Sequence, residues 1–243
     1  MNSNKNLKNL LDDLNRYELE DYEYIGLGNP NSKILFVGKE AGEKIDYTSN
    51  FDEIKEKLKI NEGSAFKWKE NNPDYTHNPY KLKDLSQTWR KYQKLYEYIY
   101  GDNKNSEYAT FLKETFTTEM SNLPSKTTDN ARKHPFFKEE LFRRKNSFFR
   151  TEFIQSFPVV VLACSDYIEN NDKTREIDDI FKVRYFDKSK EYSKGNQFFI
   201  HYGLDENSEG KRKLVIHTRN LSGNVNNDLL KDMGELIQNH LKK

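Results

Sequence analysis

Residues 158–164 read Pro158-Val159-Val160-Val161-Leu162-Ala163-Cys164, which is the clearest strand signal in the chain. An apolar run without alternating polar residues indicates a strand that is buried on both faces. A second run, Lys33-Ile34-Leu35-Phe36-Val37, ends at Gly38 and predicts another buried strand. Strands of this kind belong to sheets that helices cover on both sides, so the two runs favour an α/β fold.

The segments around these runs predict helices and further strands. Apolar residues three and four positions apart indicate an amphipathic helix, which Gly101 and Asp102 end. Its apolar residues are Leu82, Leu85, Trp89, Tyr92, Tyr96 and Ile99. We predict a strand at 114–120, a helix over 141–157 and an antiparallel pair at 197–201 and 213–217. A C-terminal helix follows, with Leu229, Leu230, Met233, Ile237 and Leu241 on one side.

The alternation of strands and helices predicts the fold class. We expect a three-layer α/β/α arrangement with a mostly parallel central sheet, folded as one domain over 1–243, with residues 1–24 as a covering N-terminal helix. Ligands of such sheets bind outside the carboxyl ends of the strands. Three polar loops follow predicted strands and are expected to meet there: 38–46, 121–126 and 217–223.

Composition limits the classes of protein that the chain can represent. No run of about 18 apolar residues exists and no apolar stretch follows Met1, so we expect a soluble, cytoplasmic protein without a membrane partner. Cys164 is the single cysteine, which excludes an internal disulfide and a cysteine-based zinc site. The histidines do not have metal-binding spacing, so no metal or cofactor is predicted. We expect a monomer.

The distribution of charge is more informative than the net charge of +1. Residues 125–150 contain eight basic and three acidic side chains, a local excess of +5, interleaved with phenylalanines. Such a segment is typical of a surface that tracks a nucleic-acid backbone. The side chains expected to contact DNA phosphates are Lys126, Arg143, Arg144 and Lys145. The alternative is a solvated helix face whose phenylalanines enter the core.

Three loops resemble motifs of a known family. His217-Thr218-Arg219-Asn220-Leu221-Ser222-Gly223 directly follows a predicted strand and is similar to the HPSPLS loop of uracil-DNA glycosylases, with His, Leu and Ser in register. Gly38-Lys39-Glu40-Ala41-Gly42 follows the first buried strand, as the water-activating loop of that family does. Asn122 stands where the family has its base-recognising asparagine. The chain departs from the family in lacking the proline of the first loop and in having Arg219 in the last.

The resemblance implies a uracil-DNA glycosylase-like fold and a DNA glycosylase activity without a cofactor. Such an enzyme hydrolyses the N-glycosidic bond of a flipped uracil-like or modified base, and its partner is single- or double-stranded DNA. The resemblance assigns catalysis to Glu40, which would stabilise the sugar cation and orient water, and to His217, which would hydrogen-bond the departing base. It assigns substrate binding to Gly38, Lys39, Asn122, Arg219, Leu221 and Ser222. Leu221 would fill the space that the flipped nucleotide leaves.

Two other functions remain open. The first is a glycosylase-fold module that has lost excision and binds nucleic acid or a protein partner, which the missing prolines favour. The second is an unrelated nucleotide- or sugar-processing α/β enzyme, although no GxGxxG follows the first strand. The site residues also have structural interpretations: Glu40 as a helix-capping group, His217 as a satisfied structural histidine and Asn122 as a turn residue.

Overall fold

The structure is a computed structural model that describes residues 25–42, 81–101, 107–206 and 212–242. The expected covering helix at 1–24 lies outside the described residues, as does the polar segment 43–80. Helices and a seven-stranded sheet make up the described chain, which confirms the α/β class.

One sheet contains all the strands of the described residues. They are β1 (Leu27–Gly28), β2 (Ile34–Gly38), β3 (Thr115–Glu119), β4 (Val159–Leu162), β5 (Val183–Lys188), β6 (Phe198–Glu206) and β7 (Arg212–Thr218). Their order in the sheet is β1-β3-β2-β4-β7-β6-β5. The pairs β3–β2, β2–β4 and β4–β7 are parallel, whereas β1–β3, β7–β6 and β6–β5 are antiparallel.

The sheet is therefore mixed, with three parallel and three antiparallel pairs. It is parallel in its centre and antiparallel toward both edges. At one edge, β5, β6 and β7 follow one another through connections too short for a crossover, so each strand turns back along its neighbour. The antiparallel pairing of β6 with β7 was predicted from the sequence and is confirmed.

Seven α-helices accompany the sheet in the described residues. They are α1 (Gln87–Tyr100), α2 (Phe111–Glu114), α3 (Thr128–Lys133), α4 (Phe137–Asn146), α5 (Glu152–Gln155), α6 (Glu176–Phe181) and α7 (Asn227–Lys242). The side chains of Ser86, Thr127 and Thr151 accept backbone hydrogen bonds and so cap the starts of α1, α3 and α5. None of these helices has both the length and the apolar character needed to cross a membrane.

The single helix expected over 141–157 is wrong, because the chain folds there in three short pieces. α4 ends at Asn146, a 3₁₀ turn occupies Phe148–Arg150, and α5 begins at Glu152. The Thr151 hydroxyl accepts a hydrogen bond from the Ile154 N–H group and so starts a new helix inside the expected one. The break lets the phenylalanines of the 3₁₀ turn pack into the core.

Alternate residues of the central strands belong to two hydrophobic clusters. On β2, Ile34 and Phe36 belong to one cluster, while Leu35 and Val37 belong to the other. Residues of α1 and α7 complete the first cluster, and residues of α4, α5 and α6 complete the second. Because successive strand residues point to opposite faces, helices cover both faces of the central strands. This burial explains the unbroken apolar runs.

We expect Gly234→Leu to lower the free energy of unfolding by about 3 kcal/mol, since overpacking forces two packed helices apart. A Cβ atom at Gly234 in α7 would lie 2.5 Å from the Cβ atom of Tyr98 in α1. Glu235→Leu is the matched control, because Glu235 is exposed on the same helix, and its effect should stay within about 0.5 kcal/mol. Equal free energies of unfolding for the two variants in urea would contradict the close packing of α1 and α7.

Candidate active site

The loops that follow β2, β3, β4 and β7 meet at the carboxyl edge of the parallel strands. After β2 the chain continues to β3 on one side, and it then returns to β4 on the other side of β2. This divergence opens a crevice at the strand ends, which is the usual ligand site of such a sheet. The loops after β2 and β3 are joined by backbone hydrogen bonds from Met120 to Gly38 (3.0 Å), Ser121 to Lys39 (2.8 Å) and Ser125 to Ala41 (2.8 Å).

Glu40 lies in the first of these loops with one carboxylate oxygen held and the other unused. Its Oε1 accepts a hydrogen bond from the Thr128 hydroxyl at 3.0 Å. Its Oε2 is buried and has no hydrogen-bond partner within the described residues. Since buried polar atoms are nearly always satisfied, this oxygen marks a position where water or a ligand group would bind.

Two cations clamp Asp166, which follows β4. The Lys39 ammonium lies 3.4 Å from its Oδ1, and the Arg132 guanidinium donates to its Oδ2 at 2.6 Å. Both cations also face the ring of Tyr167, at 4.8 and 5.7 Å from its centre. Burial alone would raise the pKa of Asp166, but the hydrogen bond from Arg132 and the nearby positive charges lower it overall. A substrate contact by Lys39 would therefore compete with its ion pair to Asp166.

Tyr167 brings a further buried oxygen to the crevice. Its hydroxyl makes no hydrogen bond of normal geometry in the part of the chain that the structure describes, although the Glu40 carboxylate and the Thr128 hydroxyl lie within interaction range. Burial raises the pKa of Tyr167, and the carboxylate of Glu40 beside the hydroxyl raises it further. The hydroxyl therefore keeps its proton and is available as a hydrogen-bond donor.

Glu119 is the last residue of β3, and its carboxylate lies over Gly38 at the end of β2. A Cβ atom at Gly38 would collide with that carboxylate, so Glu119 can keep this position only beside glycine. The Glu119 Oε2 is buried and unpartnered among the described residues. Burial, and then the charge of Glu40, raise the pKa of Glu119 to about 8, against an opposing effect of Arg144. Glu119 is not among the predicted site residues, although its place at the end of a predicted strand was an available signal.

His217 lies near the end of β7 with both ring nitrogens engaged. Its Nε2 is 2.9 Å from the carbonyl oxygen of Ser165, and its Nδ1 is 3.3 Å from the amide nitrogen of Asn170. Because a carbonyl only accepts, we assign the proton to Nε2, and Asn170 then donates to Nδ1. Burial, opposed by the bond to Ser165, lowers the pKa of His217 to about 4. The imidazole is therefore neutral at pH 7.

A buried polar network that sequence analysis did not predict surrounds this histidine. The amide nitrogen of Asn170 also lies 3.2 Å from Nε2 of His201, and Nδ1 of His201 donates to Asp178 at 2.6 Å. The amide oxygen of Asn170 accepts from Arg175 at 2.9 Å. Asn170 thus donates to both histidines and fixes the tautomer of each. Asn170, Arg175 and Asp178 lie close together in the sequence, but the two histidines are 31 and 47 residues from Asn170, so no local motif predicts the network.

A pocket of about 350 Å³ opens beside His217, between the loop after β4 and the start of β6. Phe199 forms an aromatic wall and stacks on the His217 ring, with the two ring centres 5.9 Å apart. Asn171, Thr218 and Arg219 also line the pocket. An aromatic face surrounded by hydrogen-bonding groups suits a planar heterocyclic ligand such as a nucleobase.

The other predicted substrate residues are divided between surface and core. Ser222 is exposed in the loop after β7, and Asn122 is buried in the loop after β3. Leu221 is fully buried in the cluster that α1 and α7 complete. In this conformation Leu221 packs in the core. To fill the space that a flipped nucleotide leaves in a DNA duplex, it would have to leave the hydrophobic cluster.

Two of the four predicted DNA-backbone residues are internal. Arg144 is fully buried and donates to the Glu119 carbonyl and the Thr118 hydroxyl, both at 3.0 Å. Lys145 is buried and pairs with Glu176 at 2.7 Å. This placement corrects the expected contact of Arg144 and Lys145 with DNA. Phe137, Phe148 and Phe149 of this segment are buried together with the two cations, whereas Phe136 and Phe142 are exposed.

The remaining two predicted DNA contacts differ in their surroundings. Arg143 pairs with Glu140, three residues before it on α4, at 3.1 Å. Lys126 is exposed in the loop after β3. Lys126 is therefore the one of the four that the fold leaves most accessible to a nucleic acid.

Comparison of the chain with protein-family models, with curated proteins and with solved structures finds no match in any of the three. The function proposed below therefore depends on the geometry of the crevice. Buried carboxylates, a hydroxyl donor and a neutral histidine can orient a water molecule and stabilise positive charge that develops beside them. Within the described ranges, no group of three or more His, Cys, Asp or Glu side chains is placed to hold a metal ion.

We expect Arg144→Met to lower the free energy of unfolding by about 3 kcal/mol, because it removes a buried donor from the Glu119 carbonyl and the Thr118 hydroxyl. Lys126→Met removes an exposed cation of the same segment and should change stability by less than about 0.5 kcal/mol. Urea unfolding of both variants measures the difference. If Arg144→Met keeps the wild-type stability but binds DNA more weakly, the result would instead support a contact between Arg144 and DNA.

The neutral state of His217 predicts a pH dependence of stability. An unfolded histidine binds a proton below about pH 6.5, whereas folded His217 does so only near pH 4. Between these values the unfolded state binds more protons, so the free energy of unfolding falls as pH decreases, by about 1.4 kcal/mol per pH unit. His217→Gln should remove this part of the slope in urea titrations. A His217 ring that titrates near its ordinary pKa by NMR would contradict the buried, neutral state.

Proposed function

We propose that the protein is a DNA glycosylase-like hydrolase, a divergent member of the uracil-DNA glycosylase-like superfamily, that releases a flipped uracil-like or modified base. The observation that carries the proposal is the Glu40 carboxylate at the crevice, whose buried Oε2 lacks a partner among the described residues. The parallel strands β3-β2-β4-β7 would be the family's central sheet, with the helices on its two faces as the outer layers. β1, β5 and β6 would extend that sheet at its edges.

The chemistry of the crevice supports cleavage of an N-glycosidic bond. Such cleavage develops positive charge on the sugar and negative charge on the departing base. A carboxylate at the sugar stabilises the cation and orients the attacking water, more strongly when little solvent screens it. The hydrogen bond from Thr128 holds Glu40 in one orientation for this task.

The pocket beside β7 is the proposed site of the flipped base. Phe199 offers a ring for stacking, while Thr218 and Arg219 offer hydrogen bonds to the edge of the base. Arg219 stands where the family's loop has a serine, and its cation would attract the negative charge of the leaving base or a flanking phosphate. His217 would donate to the base by exchanging its bond to the Ser165 carbonyl.

Contact with the DNA backbone is proposed for cations on and around α3. This helix lies at the crevice, because its Thr128 contacts Glu40 and its Arg132 contacts Asp166. Exposed lysines precede and follow these contacts in the chain. They are Lys126, Lys133 and Lys138. Such a rim would attract phosphates while the carboxylates remain inside the crevice.

Two placements favour the alternative of a binding module that does not excise. Both ring nitrogens of His217 are engaged by protein groups, and Leu221 lies in the core. Neither side chain is placed to contact DNA in this conformation. Under this alternative the crevice binds nucleic acid or a protein partner and releases no base.

Excision is tested with single- and double-stranded oligonucleotides that carry uracil, hypoxanthine, oxidised or other modified bases. We expect alkali-labile sites with at least one of them. On that substrate Glu40→Gln should lower the single-turnover rate about 100- to 1,000-fold, because it keeps the shape of the side chain but removes the charge that faces the sugar cation. Glu139→Gln changes an exposed carboxylate on α4 and should excise at the wild-type rate.

DNA affinity separates the two functions in the same experiment. Glu40→Gln should bind DNA as tightly as the wild type, since the loss concerns the chemical step. Equal excision rates for Glu40→Gln and the wild type would show that Glu40 takes no part in the reaction. Tight DNA binding by a wild-type protein that releases no base would favour the binding module.

A further inference from the structure

Three buried oxygens at the crevice have no hydrogen-bond partner within the described residues: Glu40 Oε2, Glu119 Oε2 and the Tyr167 hydroxyl. Buried polar atoms are almost always satisfied, either by protein groups or by bound water. Glu40 lies within range of the Tyr167 hydroxyl, but neither Glu40 Oε2 nor Glu119 Oε2 receives a hydrogen bond of normal geometry among the described residues, so another molecule would complete the site.

Several contacts bring the three oxygens together. The Glu119 carboxylate lies over Gly38, two residues before Glu40 in the same loop. Burial, and then the neighbouring Glu40 carboxylate, raise the pKa of both Glu119 and Tyr167. The loops that carry the two glutamates are tied by the backbone hydrogen bonds described above. The two glutamates are therefore held on neighbouring loops of fixed backbone.

We infer that Glu119 is a second catalytic residue of the proposed hydrolysis: its carboxylate, with Glu40 and the Tyr167 hydroxyl, holds the attacking water and accepts the proton that this water loses. The inference rests on the proposed function and divides the work between two acidic residues. Glu40 lies beside the sugar cation, while Glu119 acts as the general base.

One water molecule satisfies all three oxygens. Its two O–H groups donate to Glu40 Oε2 and Glu119 Oε2, and its oxygen accepts from the Tyr167 hydroxyl. One lone pair then remains for attack on the sugar carbon. As the bond from the water oxygen to that carbon forms, the bond from the carbon to the base nitrogen breaks and its electron pair leaves with the base. The water proton passes to Glu119 and on to solvent, from which the base anion takes a proton.

The surroundings of Glu119 suit this role. The titratable and charged groups that act on it are Glu40 from the loop after β2, Arg144 from α4 and the buried thiol of Cys164 after β4. Burial and the charge of Glu40 raise the pKa of Glu119 to about 8, despite Arg144. A carboxyl group whose pKa lies close to the working pH combines adequate basicity with a usable ionised fraction.

The rate of excision should follow the ionisation of Glu119. On a substrate that the wild type cleaves, we expect the single-turnover rate to rise about tenfold per pH unit below the pKa of Glu119 and to level off above it. Glu119→Gln cannot accept the proton, so its rate on the plateau should be about 10²- to 10⁴-fold lower and its pH profile flat. Glu114→Gln, an exposed carboxylate directly before β3, is the control and should keep the wild-type profile.

A second measurement does not depend on activity. In protein with carbon-13 at the glutamate carboxyl groups, one NMR resonance should titrate near pH 8. It should be absent in Glu119→Gln and should titrate at lower pH in Glu40→Gln, because the neighbouring charge is gone. Circular dichroism of each variant establishes that it is folded.

The outcomes separate the inference from the function on which it rests. Excision by Glu119→Gln at the wild-type rate and with the wild-type pH profile would overturn the inference alone, as would a Glu119 resonance with the ordinary pKa of a glutamate. Activity that a chelator abolishes and Mg²⁺ restores would also overturn it, since a cation would then bridge the carboxylates. A wild-type protein that releases no base from any oligonucleotide would overturn the proposed function itself.

Discussion

The complete burial of β2 and β4 is the constraint on which the rest of the structure depends. Each strand is hydrogen-bonded to a neighbour on both sides and packed into a hydrophobic cluster on both faces, so only apolar side chains fit within it. Polar side chains are accommodated only beyond the ends of these strands. Because the chain leaves β2 and β4 toward opposite sides of the sheet, the loops at that edge bring carboxylates, cations and a hydroxyl into one crevice. Little solvent reaches Glu40 Oε2, Glu119 Oε2 and the Tyr167 hydroxyl, so charges at these atoms act strongly on one another and on any ligand.

Tyr167 organises the charges of this crevice. Lys39 and Arg132 lie over its ring and are held there by Asp166, while its hydroxyl lies beside Glu40. The two cations and their partner Asp166 therefore lie at the ring of this buried side chain, while the Glu40 carboxylate lies at its hydroxyl. A sugar that becomes positively charged between two phosphates needs negative groups at its centre and positive groups toward its flanks. The crevice supplies both over a short distance, which is the physical basis of the glycosylase proposal.

Elements with a local signal could be predicted from the sequence, whereas contacts made only by the tertiary fold could not. The apolar runs of β2 and β4 and the periodic apolar positions of α7 lie in the predicted elements, because burial leaves its pattern in neighbouring residues. Arg144 and Lys145 resemble surface cations in sequence because their acceptors, Glu119 and Glu176, are 25 and 31 residues away. Leu221 matches a motif leucine, yet its side chain turns into the core. Glu119 ends a threonine-rich strand, and only its approach to Gly38 in the folded protein shows that its carboxylate is buried.

The central claim, that the crevice stabilises positive charge on a sugar, is tested most directly by the binding of a cationic sugar mimic. An oligonucleotide with one pyrrolidine ring in place of a nucleoside sugar carries that charge, and the same oligonucleotide with a tetrahydrofuran ring is neutral and of equal shape. We predict that the wild-type protein binds the cationic oligonucleotide at least about tenfold more tightly, a difference of about 1.4 kcal/mol, and that Glu40→Gln loses this preference. Equal dissociation constants for the two oligonucleotides in the wild-type protein would contradict the claim.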